Sequence, residues 1–279
     1  MKKVLFALVL ALVISGSAFA AGHRLGMIGY ASIEPEEFNQ LREQGLVFAA
    51  GTEGIPQVTF YKSINELILA LNAGDIDEIG LPEAVANYIL STHPEYVIKC
   101  LSVVAKNPML LSFGFKAENK ELAESFNKAL VDIKKDGTLI TLQGKYINSP
   151  NTAVLEERFI TDPNMNAPEP VAFKKFENAP TVKVAVTGDL PPIDYIAAEG
   201  KPEGFNAAII SEICGRLGLN VELINIDSGA RAAMLASGRA DVSFWFEHRR
   251  GLDTKYDVPE GVILSEPYYE FDTIYHLGK

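Results

Sequence analysis

The chain has 279 residues, of which 48% are hydrophobic and 22% charged, a composition typical of a soluble globular protein with one large or two modest domains. Its net charge of −11 disfavours nucleic acid and anionic membranes as partners. Two cysteines and four scattered histidines lack the spacing of a metal site, so the sequence predicts no metal ion and no other cofactor.

The first twenty residues have the three parts of a secretory signal peptide. Basic residues precede an apolar stretch, Val4–Ile14, that is too short to span a bilayer, and an Ala-x-Ala cleavage site ends at Ala20. The alternative, a membrane anchor, conflicts with this length. Because no cysteine lies near the cleavage site, we predict a periplasmic or secreted protein that has no lipid anchor and no stable membrane insertion after signal cleavage.

The N-terminal half alternates between strand and helix patterns. Predicted strands cover residues 24–30, 58–61, 76–81, 96–104 and 110–116. Predicted helices begin near Ser32, at 64 and near 85, and two more cover 122–137 and 139–146. Ser63 and Glu66 have the capping-box spacing that starts a helix, and Gly74 ends the same helix. This half is therefore predicted to form one α/β unit.

The C-terminal half follows a proline-rich connector and has the same alternation. Residues 147–180 contain five prolines and little periodicity, which indicates a long linker. Strands are predicted at 182–186, 221–226 and 241–246, and helices at 206–217 and 228–237. Such alternation implies a parallel sheet covered by helices, in which ligands bind at the carboxyl ends of the strands. Those ends are Thr187–Pro192, Asp227–Arg231 and Trp245–Glu247.

The two halves share a weak internal repeat. Leu67–Ile79 and Arg231–Phe244 both run from a helix through a glycine and an aspartate into a strand. Helix–glycine–strand turns are common in all α/β proteins, so the repeat supports two lobes of similar construction only in combination with other features.

Several phrases together resemble the amino-acid type (family 3) extracellular solute-binding proteins. The first-lobe phrases of that family are GDLPPIDY, GKPEGFNAAII, GRLGLNVEL, the L-x-S-G-x-x-D of Leu235–Asp241, and SEPYY. The second-lobe phrases are FYKSINELILALNAGDID, VANYIL and FGFKAENKELAESFNKALVDIKKDGTLITLQGKYI. Here the second-lobe phrases come first. The resemblance therefore implies an α/β, two-lobed periplasmic-binding-protein-like (type II) fold in circularly permuted order.

The permuted order implies a division of the chain. Residues 1–20 are the signal peptide, 21–108 a lobe-two-like unit, 109–146 a hinge strand and helices returning to lobe one, 147–180 the linker, and 181–279 a lobe-one-like unit ending in a hinge strand. The hinge candidates are 109–116 and 268–277. The alternative is two incomplete binding domains in tandem, which would leave apolar sheet faces uncovered.

The resemblance implies capture of a small polar solute, an amino acid or related carboxylate, for an ABC-type transporter whose permease is the second partner. We therefore expect a binding protein and no enzyme. One alternative is a sensory or interaction protein with a degenerate binding fold. The other is a periplasmic dehydratase-like enzyme, in which Glu83, Asp189 or Glu247 would act as acid or base.

The predicted ligand-binding residues face one another across the cleft between the lobes. They are Tyr30, Ser32, Glu83, Thr187, Asp189, Leu190, Ser228, Arg231 and Trp245. The family pattern differs at several of these positions, because Leu190 and Ser228 stand where the family has aromatic residues. Its carboxylate-binding arginine is missing, and Arg249 and Arg250 stand at a shifted spacing.

Each site residue also has a simpler interpretation. Ser32 and Ser228 are good helix caps, and Trp245 is large enough to be a core residue. Asp189, Asp194 and Tyr195 fit an exposed turn as well as a site. Of the two cysteines, Cys100 and Cys214, the sequence leaves open whether they pair or remain buried thiols.

Overall fold

The structure is a computed structural model that describes residues 13–14, 23–28, 57–103, 108–147, 171–196, 202–249 and 258–279. Most of the predicted leader, Tyr30, Ser32 and most of the predicted linker lie outside the described residues. In the part of the chain that is described, no helix has the length and apolar character needed to cross a membrane.

Fifteen strands are described. They are β1 (Val13–Ile14), β2 (Arg24–Ile28), β3 (Gln57–Tyr61), β4 (Glu78–Pro82), β5 (Val97–Val103), β6 (Met109–Lys116), β7 (Thr181–Val186), β8 (Asp189–Leu190), β9 (Asp194–Ile196), β10 (Pro202–Glu203), β11 (Asn220–Asn225), β12 (Val242–Arg249), β13 (Val262–Leu264), β14 (Tyr269–Phe271) and β15 (Thr273–Gly278).

The α-helices among the described residues cover the strands. They are α1 (Ile64–Ala73), α2 (Glu83–Thr92), α3 (Lys120–Lys135), α4 (Thr138–Tyr146), α5 (Gly204–Leu217) and α6 (Arg231–Ala236). A 3₁₀ turn at Ser228–Ala230 leads directly into α6.

The strands form two six-stranded sheets and one small sheet. The first sheet has the order β1-β5-β15-β4-β2-β3, and β2 is parallel to both β3 and β4. The second has the order β11-β7-β12-β6-β13, with β14 also paired to β6, and β7 is parallel to β11 and β12. Strands β8, β9 and β10 form the small sheet. Each large sheet contains parallel strands and is accompanied by helices, which confirms the predicted two-lobed α/β fold.

Each large sheet contains a strand from the other half of the chain. Strand β6 precedes the linker yet pairs antiparallel with β12 in the second sheet. Strand β15 follows the second sheet in the chain yet lies between β4 and β5 in the first. The equivalent orders β3-β2-β4-β15-β5 and β11-β7-β12-β6-β13 support the predicted hinge strands. The circular permutation and the domain bounds stay predictions.

The helix signals in the sequence act as expected in α1. The Ser63 Oγ accepts a hydrogen bond from the Glu66 backbone N–H at 3.2 Å. The Glu66 carboxylate accepts one from the backbone N–H of Lys62 at 2.9 Å, one residue earlier than in an ideal capping box. Gly74 ends the helix with φ of 79°, a left-handed conformation that glycine adopts without strain.

Side chains of β12 do not keep the predicted alternation between the two faces of the strand after Phe244. We expected Val242, Phe244 and Phe246 to share one face because side chains alternate along a strand. Trp245 has φ of 64°, and the register against β6 shifts between Ser243 and Phe246. Phe244 consequently packs in the large core cluster, whereas Phe246 packs in a second cluster that includes Met234 and Leu235 of α6.

Most of the apolar core is continuous across both sheets. The large cluster contains Ile79 from the first sheet, Phe113 from β6, and Val184 from the second. Cys100 lies in β5 and Cys214 in α5; both are buried, and no disulfide joins them in the described structure.

Candidate functional site

Several polar side chains are buried where the strands of the second sheet end. Thr187 follows β7, Ser228 and Arg231 follow β11, and Trp245 lies on β12. All four are buried, and Arg231 is only 1% exposed. Because β7, β11 and β12 are parallel, their carboxyl ends meet at one edge of the sheet. This edge is where the sequence predicted the site.

Thr187 binds the carboxylate of Asp194 through two groups. Its backbone N–H and its hydroxyl each donate a hydrogen bond to Asp194 Oδ2 at 2.9 Å. Burial raises the pKa of Asp194, and the bonds from Thr187 and the charge of Arg231 oppose that rise. Asp194 is therefore a buried carboxyl group that receives hydrogen bonds from its own loop.

Arg231 connects the turn before α6 to β12. Its Nε donates to the Ser228 carbonyl at 3.0 Å, and its Nη1 donates to the Trp245 carbonyl. The guanidinium also lies over the Phe246 ring, 5.6 Å from its centroid. A buried arginine held in this way fixes the local backbone and places a positive charge beside Asp194.

Asn206 and Tyr268 complete the cluster. Asn206 is fully buried in the first turn of α5; its carboxamide lies close enough to the Tyr268 hydroxyl to oppose the rise in the Tyr268 pKa, but it makes no hydrogen bond of ordinary geometry among the described residues. Its backbone N–H donates to the Ile193 carbonyl at 2.8 Å, which places it beside Asp194. The Tyr268 hydroxyl accepts a hydrogen bond from the Trp245 N–H at 3.3 Å, and burial raises the Tyr268 pKa. A buried carboxamide with unsatisfied donors or acceptors costs stability, so a bound group would offset that cost.

The first sheet contributes Glu83 from the start of α2. Its side chain is exposed and accepts a hydrogen bond from the Tyr275 hydroxyl at 3.1 Å. Burial raises the pKa of Tyr269 on β14, and the negative charge of Glu83 adds to that rise. Glu83 is therefore close to a strand of the second sheet as well as to its own.

The structure brings together four of the predicted site residues at the edge of the second sheet. They are Thr187, Ser228, Arg231 and Trp245, and Leu190 lies in the small sheet. Leu190 is buried in the core cluster and its strand β8 contacts α1, so it helps to join the two lobes. Asp189 lies in β8 but its side chain is not described, and Tyr30 and Ser32 lie outside the described residues.

Sequence reasoning did not assign Asp194, Asn206 and Tyr268 to the site. For Asp194 the sequence left open an exposed turn or the site, although the neighbouring Ile193 is a sign of burial. Tyr268 belongs to the Ser-x-Pro-Tyr-Tyr phrase, and that phrase was the available signal for it. Asn206 had no signal beyond its place at a helix start.

Part of the chain matches a known protein family by sequence. Residues 182–256 match the bacterial extracellular solute-binding proteins, family 3. This range covers about a quarter of the chain and contains the whole buried polar cluster except Tyr268. The resemblance to that family is thereby confirmed over this range. No curated protein matches the chain by sequence.

Solved structures of binding proteins are similar to the whole chain at low identity. The alkanesulfonate-binding protein SsuA from Xanthomonas axonopodis pv. citri, bound to MOPS, is 11% identical, with a TM-score of 0.39 and coverage of 94% of this chain and 67% of that one. The zinc-bound ligand-binding component of an ABC-type import system from Staphylococcus aureus is 8% identical, with a TM-score of 0.43 and coverage of 92% and 66%.

The periplasmic aliphatic sulphonate binding protein SsuA from Escherichia coli is 12% identical, with a TM-score of 0.36 and coverage of 93% and 65%. The chain spans about two thirds of the length of these three proteins.

Proposed function

We propose that this protein captures a small polar solute between its two lobes and passes it to an ABC-type importer outside the cytoplasm. The observation that carries the proposal is the buried polar cluster of Thr187, Asp194, Asn206, Arg231 and Tyr268. It lies at the carboxyl ends of parallel strands, within or next to the range that matches the solute-binding family.

The charges of this cluster favour a zwitterion such as an amino acid. Asp194 supplies a carboxyl group and Arg231 a positive charge, both buried at the same sheet edge. An ammonium group beside Asp194 would favour its ionised form, and a carboxylate would be attracted by Arg231. The Asn206 carboxamide has both a donor and an acceptor to offer a polar group between them.

Residues of both lobes would close on the solute. Glu83 on the first lobe would face the cluster, and β6 and β15 would act as the hinge strands. Tyr30, Ser32 and Asp189 remain predicted contacts. In this proposal the leader is removed on export and the permease is the protein partner.

A thermal-shift screen tests the proposal. A ligand that binds only the folded chain stabilises it, by about 2.7 kcal/mol at a concentration one hundred times its Kd. We expect amino acids to raise the melting temperature and their decarboxylated amines to do so less. No response to amino acids, peptides or organic acids would favour a sensory or interaction protein, and turnover of a hit would favour a cleft enzyme.

Variants locate the site of any hit. Asn206→Ala should weaken binding without unfolding the chain, because the removed carboxamide makes no hydrogen bond of ordinary geometry among the described residues. Asn127→Ala is the matched control, since this asparagine lies on α3 and accepts from the Glu266 N–H at 2.7 Å. Equal affinities of both variants and the parent chain would place the solute elsewhere.

A further inference from the structure

Three potential metal ligands meet inside the first sheet. They are Glu78 on β4, Cys100 on β5 and His276 on β15, each at most 8% exposed. Strand β15 lies between the other two, and His276 pairs directly with Cys100. One donor atom from each side chain lies within 4.8 Å of the other two.

The distances are close to those of a tetrahedral zinc site. His276 Nδ1 is 3.4 Å from Glu78 Oε2. Bonds of 2.0–2.3 Å to Zn²⁺ place tetrahedral ligand atoms about 3.3–3.6 Å apart. The ligand atoms lie at most 4.8 Å apart, so a pair has to approach by at most about 1.2 Å to reach the tetrahedral spacing. Rotation of the side chains allows a movement of this size.

The kinds of ligand also select the metal. A thiolate, an imidazole and a carboxylate together form a mixed S, N and O set, which suits Zn²⁺ better than Ca²⁺ or Mg²⁺. His23 lies outside this ligand set, and its Nε2 is 3.1 Å from Glu78 Oε1, where it can hold the carboxylate in position. The three protein ligands leave the fourth tetrahedral position to a water molecule, as in zinc sites with an open position.

A surface depression reaches the Glu78 side of this group. It has a volume of about 470 Å³, and its lining includes His23 and Glu78. Lys99, Lys279 and Asp77 also line it, and Asp77 is paired with Arg24 at 2.8 Å. Of the two carboxylates that line the depression, Asp77 is paired with Arg24, and Glu78 is the one that faces the histidines.

We propose that Glu78, Cys100 and His276 bind one Zn²⁺ ion, with His23 positioning the Glu78 carboxylate. Binding releases the Cys100 thiol proton to solvent and forms the Zn–S bond. The ion would join β4, β5 and β15, and so would hold a strand from the other half of the chain in the first sheet.

This site is separate from the proposed solute site. Glu78 begins β4, whereas Pro82 ends it at the side of Glu83. Four residues of strand separate the two ends by about 13 Å. The zinc proposal therefore stands or fails independently of solute binding. Sequence spacing predicted no metal site, because Glu78, Cys100 and His276 are far apart in the chain.

Metal titration of the purified chain tests the proposal. Zn²⁺ competed against a chromophoric chelator should bind with a stoichiometry of one. Co²⁺ in its place should give a thiolate-to-cobalt charge-transfer band, which reports the Cys100 sulfur directly and needs no variant. Absence of Zn²⁺ binding, or a cobalt complex without that band, would overturn the proposal.

Variants assign the ligands. Cys100→Ser and His276→Gln should each weaken Zn²⁺ binding by more than about tenfold, and Cys100→Ser should also remove the cobalt band. Cys214→Ser is the matched control, because Cys214 is the other buried cysteine and lies in α5. A band that survives in Cys100→Ser, or disappears in Cys214→Ser, would show that the metal is elsewhere.

Discussion

The hydroxyl of Thr187 offers a measurable test of the buried cluster. Replacing Thr187 by Val keeps the shape of the side chain and the backbone hydrogen bond to Asp194, but removes the hydroxyl bond of 2.9 Å. A buried hydrogen bond to a charged group contributes about 1.5–3 kcal/mol, and a neutral one about 0.5–1.5 kcal/mol. We therefore expect Thr187→Val to lower the free energy of unfolding by about 1.5–3 kcal/mol if Asp194 is ionised.

Urea denaturation followed by the fluorescence of the single tryptophan measures the change. Thr141→Val is the control, because its hydroxyl donates at the same distance, 2.9 Å, to the Gly137 carbonyl on an exposed helix start. The control should change stability by less than about 0.5 kcal/mol. Equal effects of the two variants would refute the placement of Asp194 and Thr187 in a buried cluster.

A second background makes this test stricter. In an Asp194→Asn chain, the same Thr187→Val change should cost less, because the charged acceptor is gone. The difference between the two costs is the coupling energy of the pair. A coupling of zero would mean that Thr187 stabilises the fold by another contact.

Three further predictions concern stability, pH and reactivity. Trp245→Ala should cost about 3–5 kcal/mol in urea denaturation, because the ring is 8% exposed and lies in the main core. Bonds from Thr138 and Arg216 lower the pKa of Asp136 to about 2, so its stabilising effect is present above pH 3.8 and lost as the pH falls toward 2. Burial raises the pKa of Cys214 to about 12, so thiol reagents should label it only after unfolding, as peptide mass spectrometry would detect.

Each of these has a clear contrary result. A Trp245→Ala chain with parental stability and weakened solute binding would place the ring in the cleft. The advantage of the parent chain over Asp136→Asn should shrink between pH 5 and pH 2, and a constant advantage would exclude the depressed pKa. Labelling of native Cys214 at the rate of an exposed thiol would contradict its burial.

Local patterns predicted most of the described elements, because they depend on neighbouring residues. The α1 helix starts and ends where Ser63 and Gly74 indicated. The face of Phe246 was predicted wrongly, since nothing near it in the sequence indicates a positive φ at Trp245.

Long-range pairing explains what the sequence could not predict about the sites. Asp194 becomes buried only because α5 packs on its turn, and Asn206 shares that burial. Cys100 and His276 become neighbours only when β15 pairs with β5. Strand pairing between distant segments is not encoded in any local period, so neither cluster was visible as a group.

The exchange of β6 and β15 between the sheets has a consequence for the order of synthesis and folding. Strand β15 lies between β4 and β5, and it is synthesised after all the other described strands. Until it emerges, β4 and β5 have unpaired edges in the middle of the sheet, which expose backbone groups to other chains. The first lobe, although made first, therefore cannot complete its sheet until β15 has been synthesised.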